Sequence, residues 1–131
     1  MTDQCPHCAG SRFTVDVPAE LTTYTDASAV DCCPRCLSVD SGDPAAVDPE
    51  PPFETAVLRF PTGSEGVGLF LLLDKLDSLA LNRSEIESLV DWVESNGVDL
   101  FLLLNRLVDE PDVEPPYDLA RRRDQLEQLL D

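Results

Sequence analysis

Four cysteines have the types and spacing to do chemistry in this chain. Cys5-Pro6-His7-Cys8 and Cys33-Pro34-Arg35-Cys36 are two C-x-x-C units separated by residues 9 to 32. Four thiols so arranged read as one tetrahedral site for a structural Zn2+ ion. Two residues between cysteines let a tight turn aim both sulfurs at one ion while backbone N–H groups face the thiolates. Pro6 and Pro34 pre-set φ in those turns. Such a centre is formally dianionic, so Arg12 and Arg35 are expected beside it. A dithiol redox pair or an iron site would use the same ligands and is the competing chemistry.

The chain has five cysteines, which fits four ligands and one spare thiol better than a disulfide framework. Cys32 could replace Cys33 in a C-x-x-x-C pair, but the proline-containing register matches the first unit. Cys33 is therefore assigned as the ligand and Cys32 as a small strand residue. His7, the single histidine, is expected to point away from the ion as an exposed turn residue. Outside the cysteines there is no Ser/His/Asp or Cys/His set. Glu65, Asp74, Asp77 and Asp91 read as solvated faces. Residues 61–68 have the glycines of a phosphate loop but lack its Gly-Lys-Ser/Thr ending. The expectation is a protein that is not an enzyme.

The elements that must position the thiols can be read locally. Phe13, Val15 and Val17 alternate with Arg12, Thr14 and Asp16, the period of a half-buried strand, and Pro18 ends it. Ala29-Val30-Asp31 leads into the second unit and Leu37-Ser38-Val39 leads out, giving a ribbon of short β-hairpins over residues 1–39. A module of that size buries too little apolar surface to offset its chain entropy, whereas a structural zinc contributes an apparent ~10–16 kcal/mol. Residues 40–52, dense in proline and acid, read as a semi-stiff linker.

Residues 53–131 read as a separate helical domain. Phe53, Val57 and Phe60 fall at helical spacing, with a strand over 56–60 as the competitor. Gly66-Val67-Gly68-Leu69-Phe70-Leu71-Leu72-Leu73 then returns as Gly97-Val98-Asp99-Leu100-Phe101-Leu102-Leu103-Leu104. Gly68 and Asp99 stand where each repeat helix should be capped. Ser84 and Glu87 form a capping box ahead of Ile86, Leu89, Val90 and Val93, and Asn96-Gly97 supplies the stop. Pro115-Pro116 precedes a last helix carrying Arg121, Arg122 and Arg123. The overall class is α+β: a ribbon followed by about four helices in two repeated hairpins.

The repeat helices are apolar over more than one face at Phe70 and Phe101, which are candidates for a partner or homodimer surface. The arginine run is the alternative contact, toward nucleic acid or a ribosome. The formal net charge is −17, from 26 acidic and 9 basic residues, and Lys75 is the only lysine. That composition suits a high-salt interior, where the Debye length falls to about 3 Å at 1 M and net charge ceases to exclude an anionic partner. Met1-Thr2-Asp3-Gln4 lacks the basic and apolar regions of a secretory signal, and Leu69–Leu73 is too short to span a bilayer, so no membrane partner and a cytoplasmic location are expected.

The two cysteine units, the proline-rich spacer and Leu79-Ala80-Leu81-Asn82-Arg83-Ser84-Glu85-Ile86-Glu87 together resemble a haloarchaeal family of small zinc-ribbon proteins defined by a domain of unknown function. The likeness covers nearly the whole chain and implies a zinc ribbon but no activity. The cysteine units alone also resemble ribbons of transcription and translation factors, a module shared by many functions. The functional expectation is a zinc-binding adaptor that docks a macromolecule, with a nucleic-acid- or ribosome-associated factor as the alternative.

Overall fold

The computed structural model describes residues 4–57 and 59–130. It is α+β, with a three-stranded antiparallel sheet followed by four helices. Strands β1 (Phe13–Asp16), β2 (Ala29–Cys32) and β3 (Val39–Ser41) lie in sequence order. Phe13 stands opposite Cys32, and Cys32 opposite Val39, so the strands run directly out of and back into the cysteine turns. Thr14, on the polar phase of β1, is nonetheless buried; its hydroxyl donates to the buried carboxylate of Asp31, which also pairs with Arg12 at 3.2 Å. The outer edge of β1 is met by Asp48, which accepts from the Thr14 N–H at 3.1 Å and donates its own N–H to the Thr14 carbonyl at 2.9 Å. At the opposite edge the Val39 N–H donates to Asp74 at 3.1 Å.

Helices α1 (Gly63–Lys75), α2 (Arg83–Ser95), α3 (Leu100–Asp109) and α4 (Leu119–Leu130) form two hairpins, α1 against α2 and α3 against α4. The expected apolar face of α2 is buried at Ile86, Leu89, Val90 and Val93. Its stop is a Schellman turn: Gly97 adopts φ 89°, its N–H reaches the Glu94 carbonyl at 3.0 Å, and the Val98 N–H reaches Val93 at 3.1 Å. Asp99 caps α3 as expected, accepting from the Leu102 N–H at 3.2 Å.

Three local expectations are corrected. Gly68 is not a cap, because α1 starts at Gly63, and Gly68 lies inside the helix where a Cβ would come within 2.6 Å of the Trp92 ring. Ser84 and Glu87 form no capping box. The helix begins two residues earlier, with Asn82 rather than Ser84 at the N-cap position; Glu87 pairs with Arg83 at 3.7 Å, and the Asn82 side chain donates to the Lys75 carbonyl at 3.2 Å. Among the described residues of the 53–60 stretch there is neither α-helix nor strand, only a single 3-10 turn over Phe53–Thr55.

The boundaries drawn at residues 39 and 53 do not separate cores. Phe13, Val15, Leu21, Val30, Cys32 and Leu37 from the sheet region belong to the same buried cluster as the leucines of α1 to α4. Phe53 meets Phe13 edge-to-face at 5.1 Å, and Phe60 meets Phe70 at 4.9 Å, so the segment after the spacer fills the junction. The spacer is itself bound to the sheet through Asp48 and contributes a 3-10 turn over Pro44–Ala46.

Candidate metal centre

The two cysteine turns are built alike. In the first, the Ala9 N–H donates to the Cys5 carbonyl at 2.8 Å and the Cys5 N–H to Gly10 at 2.7 Å; in the second, Leu37 donates to Cys33 at 2.8 Å and Cys33 to Ser38 at 3.1 Å. Ala9 and Leu37, each immediately after its second cysteine, share the left-handed φ of 62°. A non-glycine residue is costly there, by roughly 1–2 kcal/mol. Both turns accept that cost because the reversal is what points their sulfurs inward.

The result is one cluster. The ligand atoms of Cys5, Cys8, Cys33 and Cys36 all lie within 4.8 Å of one another. The Cys5–Cys36 and Cys8–Cys33 sulfur pairs are each 3.6 Å apart. A metal at the usual ~2.3 Å from each of four tetrahedral sulfurs requires sulfurs about 3.8 Å apart, so the donor set fits a single ion. All four thiols are free, and Cys5, Cys33 and Cys36 are buried.

The surroundings differ from the expected arginine shell. Arg12 is spent on Asp31 and on Asp40 at 3.4 Å, while Arg35 pairs with Glu114 at 3.3 Å. The groups that face the sulfurs are the His7 N–H on Cys5 and the Gly10 N–H on Cys8, each at 3.4 Å, and the Ser38 hydroxyl 2.9 Å from Cys36. Sequence reasoning did not single out Ser38. The available signal was position: Ser38 stands two residues past its turn, where Gly10 stands in the first.

Burial opposes charge at Cys5, but the N–H groups of His7 and Cys8 and the Ser38 hydroxyl prevail and bring its thiol down to about 6. Burial pushes the Cys33 and Cys36 thiols up, so these two ionise readily only around a cation. Cys32 lies outside the cluster, fully buried on β2 in the apolar core, and burial raises its thiol too. His7 points away from the sulfurs to Asp40 at 3.0 Å, half exposed, as read from sequence.

The centre is tied to the helices directly. The Glu114 N–H, in the α3–α4 connection, donates to the Arg35 carbonyl inside the second turn at 2.6 Å. No helix among the described residues is long and apolar enough to cross a membrane.

With this geometry in place, the match to a family model covering residues 4–130 is decisive. The chain belongs to DUF6276, a family of unknown function. No curated protein and no solved structure matches it.

The other residues expected at the DUF6276 surface fall in different places. Phe70 is fully buried among Phe13, Phe53 and Phe60, which corrects its reading as a partner contact; Phe101 is partly buried against the same core. Arg122 donates to the carbonyls of Leu76 at 2.8 Å and Asp77 at 3.3 Å, capping the end of the α1 hairpin arm. Arg123 binds Asn105 at 2.9 Å and Asp124 at 3.3 Å. Arg121 alone of the three is exposed. Asp74, read as part of a solvated face, is half-buried against β3.

Proposed function

We propose that this DUF6276 chain is a zinc-binding, non-enzymatic interaction protein of a high-salt cytoplasm that docks a macromolecular partner. One observation carries the reading: four cysteine sulfurs lie within 4.8 Å of one another, enough donors to fill a four-coordinate ion. An ion so enclosed keeps no position for water or substrate, which is the arrangement of a structural site. Soft thiolate donors favour zinc over harder cations. The net charge of −17 with a single lysine supports a high-salt setting. A protein partner is favoured over nucleic acid because Arg122 and Arg123 are engaged within the chain.

Two measurements test this. Elemental mass spectrometry on the purified protein should find one zinc per chain; a folded, metal-free protein or stoichiometric iron overturns the zinc assignment. Recovery from native cells in multimolar salt should bring a defined protein partner. Co-purifying RNA, DNA or ribosomal proteins, detected by ultraviolet absorbance and mass spectrometry, would instead establish the nucleic-acid- or ribosome-associated reading.

A further inference from the structure

Positive charge is scarce in this chain, and where it is left unpaired is informative. Of the nine cationic side chains, Lys75, Arg12, Arg35, Arg83 and Arg123 pair with carboxylates, and Arg122 binds backbone carbonyls. Among the described residues Arg59, Arg106 and Arg121 make no ion pair and no side-chain hydrogen bond. Two of these three, Arg59 and Arg106, line the same cleft. Against 26 acidic side chains, these two guanidinium groups border one depression with a single carboxylate, Asp99, beside them.

The cleft holds about 270 Å³ and runs between the turn before α1 and the first turns of α3. Its remaining lining is mostly apolar, with Pro61, Val98, Leu102 and Leu103; Asp99 also borders it, its carboxylate engaged by the Leu102 N–H. Leu102 is 49% exposed, one of three large apolar side chains left so open among the described residues. Arg59 adds an independent observation: it sits at φ 68°, a left-handed backbone that a glycine would adopt without strain. Such outliers persist only where the surrounding structure holds them, and they cluster at binding sites.

We propose that the Arg59–Arg106 cleft is the docking site for an acidic peptide segment, a carboxylate side chain flanked by an apolar residue. The carboxylate bridges the two guanidinium groups and the apolar neighbour covers Leu102. Local complementarity selects this occupant over a nucleic acid. A carboxylate meets the two cations and its apolar neighbour meets Leu102, whereas a phosphate backbone carries no apolar side chain to cover that lining. The proposal deepens the interaction-protein reading and rests on it.

The test uses the full, metal-loaded chain and a fluorescein-labelled peptide with a single glutamate flanked by leucines in an otherwise uncharged sequence, followed by anisotropy. Wild type should bind it at least tenfold more tightly than the leucine–glutamine counterpart and more tightly than a single-stranded oligonucleotide. Arg59→Gly and Arg106→Gln should each weaken binding at least tenfold, and Arg59→Gly should keep or raise the melting temperature because it relieves the backbone. Should Arg59→Gly fail to fold, Arg106→Gln on the outer face of α3 carries the test alone. Absence of binding, equal binding of the glutamine peptide, equal binding by the variants, or preference for the oligonucleotide overturns the proposal. If the double variant still recovers the native protein partner, the cleft assignment fails while the adaptor reading stands. If the peptide binds but native recovery yields no protein partner, the adaptor reading fails and the cleft stands.

Discussion

The ring of Phe13, on the central face of β1, meets the ring of Phe70 on α1 edge-to-face with centroids 5.7 Å apart and planes at 83°. This contact joins the half of the chain that carries the thiols to the half that carries the leucines. The sequence, with its cysteines early, its prolines midway and its leucines late, reads instead as two units of independent stability.

Metal removal should therefore be felt throughout. A four-thiolate ion contributes an apparent ~10–16 kcal/mol, as much as the whole ~5–15 kcal/mol of net stability of an ordinary domain. Stripping the protein with a chelator is expected to abolish the helical circular-dichroism signal and to red-shift the emission of Trp92, partly buried against the core, in one transition. Retention of most of the helix would mean that the leucine cluster stands without the sheet.

The contrast between what was legible and what was not follows the range of the interactions. The convergence of the four cysteines, the strand at Phe13, the buried face of α2 and the Asn96-Gly97 stop follow from local spacing, and each is found as read. Gly68 was misplaced because its role depends on Trp92, a helix away, and the Ser84–Glu87 pattern was overridden when Asn82 turned to the open carbonyl of Lys75. Phe70 looks like surplus apolar surface until Phe13, Phe53 and Phe60 arrive from two other segments. Ser38 and the diversion of Arg12 to Asp31 are likewise tertiary facts with no local mark.

Phe70→Ala should behave as a core deletion. With the side chain fully buried, the expected loss is about 3–5 kcal/mol in a denaturant titration. An effect below 1 kcal/mol in a still-folded protein, paired with lost partner recovery, would restore Phe70 to the surface.

Ala9→Gly should stabilise. The residue is exposed at φ 62°, and removing its Cβ relieves strain that exceeds the added chain entropy, for a net gain of up to about 1 kcal/mol. The same change at Leu37 should destabilise, because that side chain is fully buried. Thermal melts of both variants with metal bound provide the comparison, and a fall in melting temperature for Ala9→Gly contradicts the strain argument.

Asp74 gives a pH-dependent prediction. Burial foremost, with Asp40 and Asp77 nearby, holds its carboxyl above the ordinary 3.8, against the Val39 N–H and Lys75, which favour the charge. A raised folded-state value means that the folded protein takes up this proton more readily than the unfolded chain. The associated stability is present in acid and lost as pH rises through the folded value, so the charge is a burden at neutral pH. Asp74→Asn keeps an acceptor for Val39 and should raise the melting temperature at neutral pH. That advantage should shrink as pH falls toward the ordinary carboxylate range, and a lower neutral-pH melting temperature in the variant would reverse the sign of the argument.

The carboxylates of Asp48 and Asp74 stand at opposite margins of a sheet only three strands wide. Each occupies a main-chain donor that an incoming strand would need, so the sheet cannot serve as a template for annealing another chain at Thr14 or Val39. Recognition by strand addition and runaway polymerisation share that first step, and both are closed off there. A strand added at either position would first have to displace a carboxylate from the backbone donor it holds.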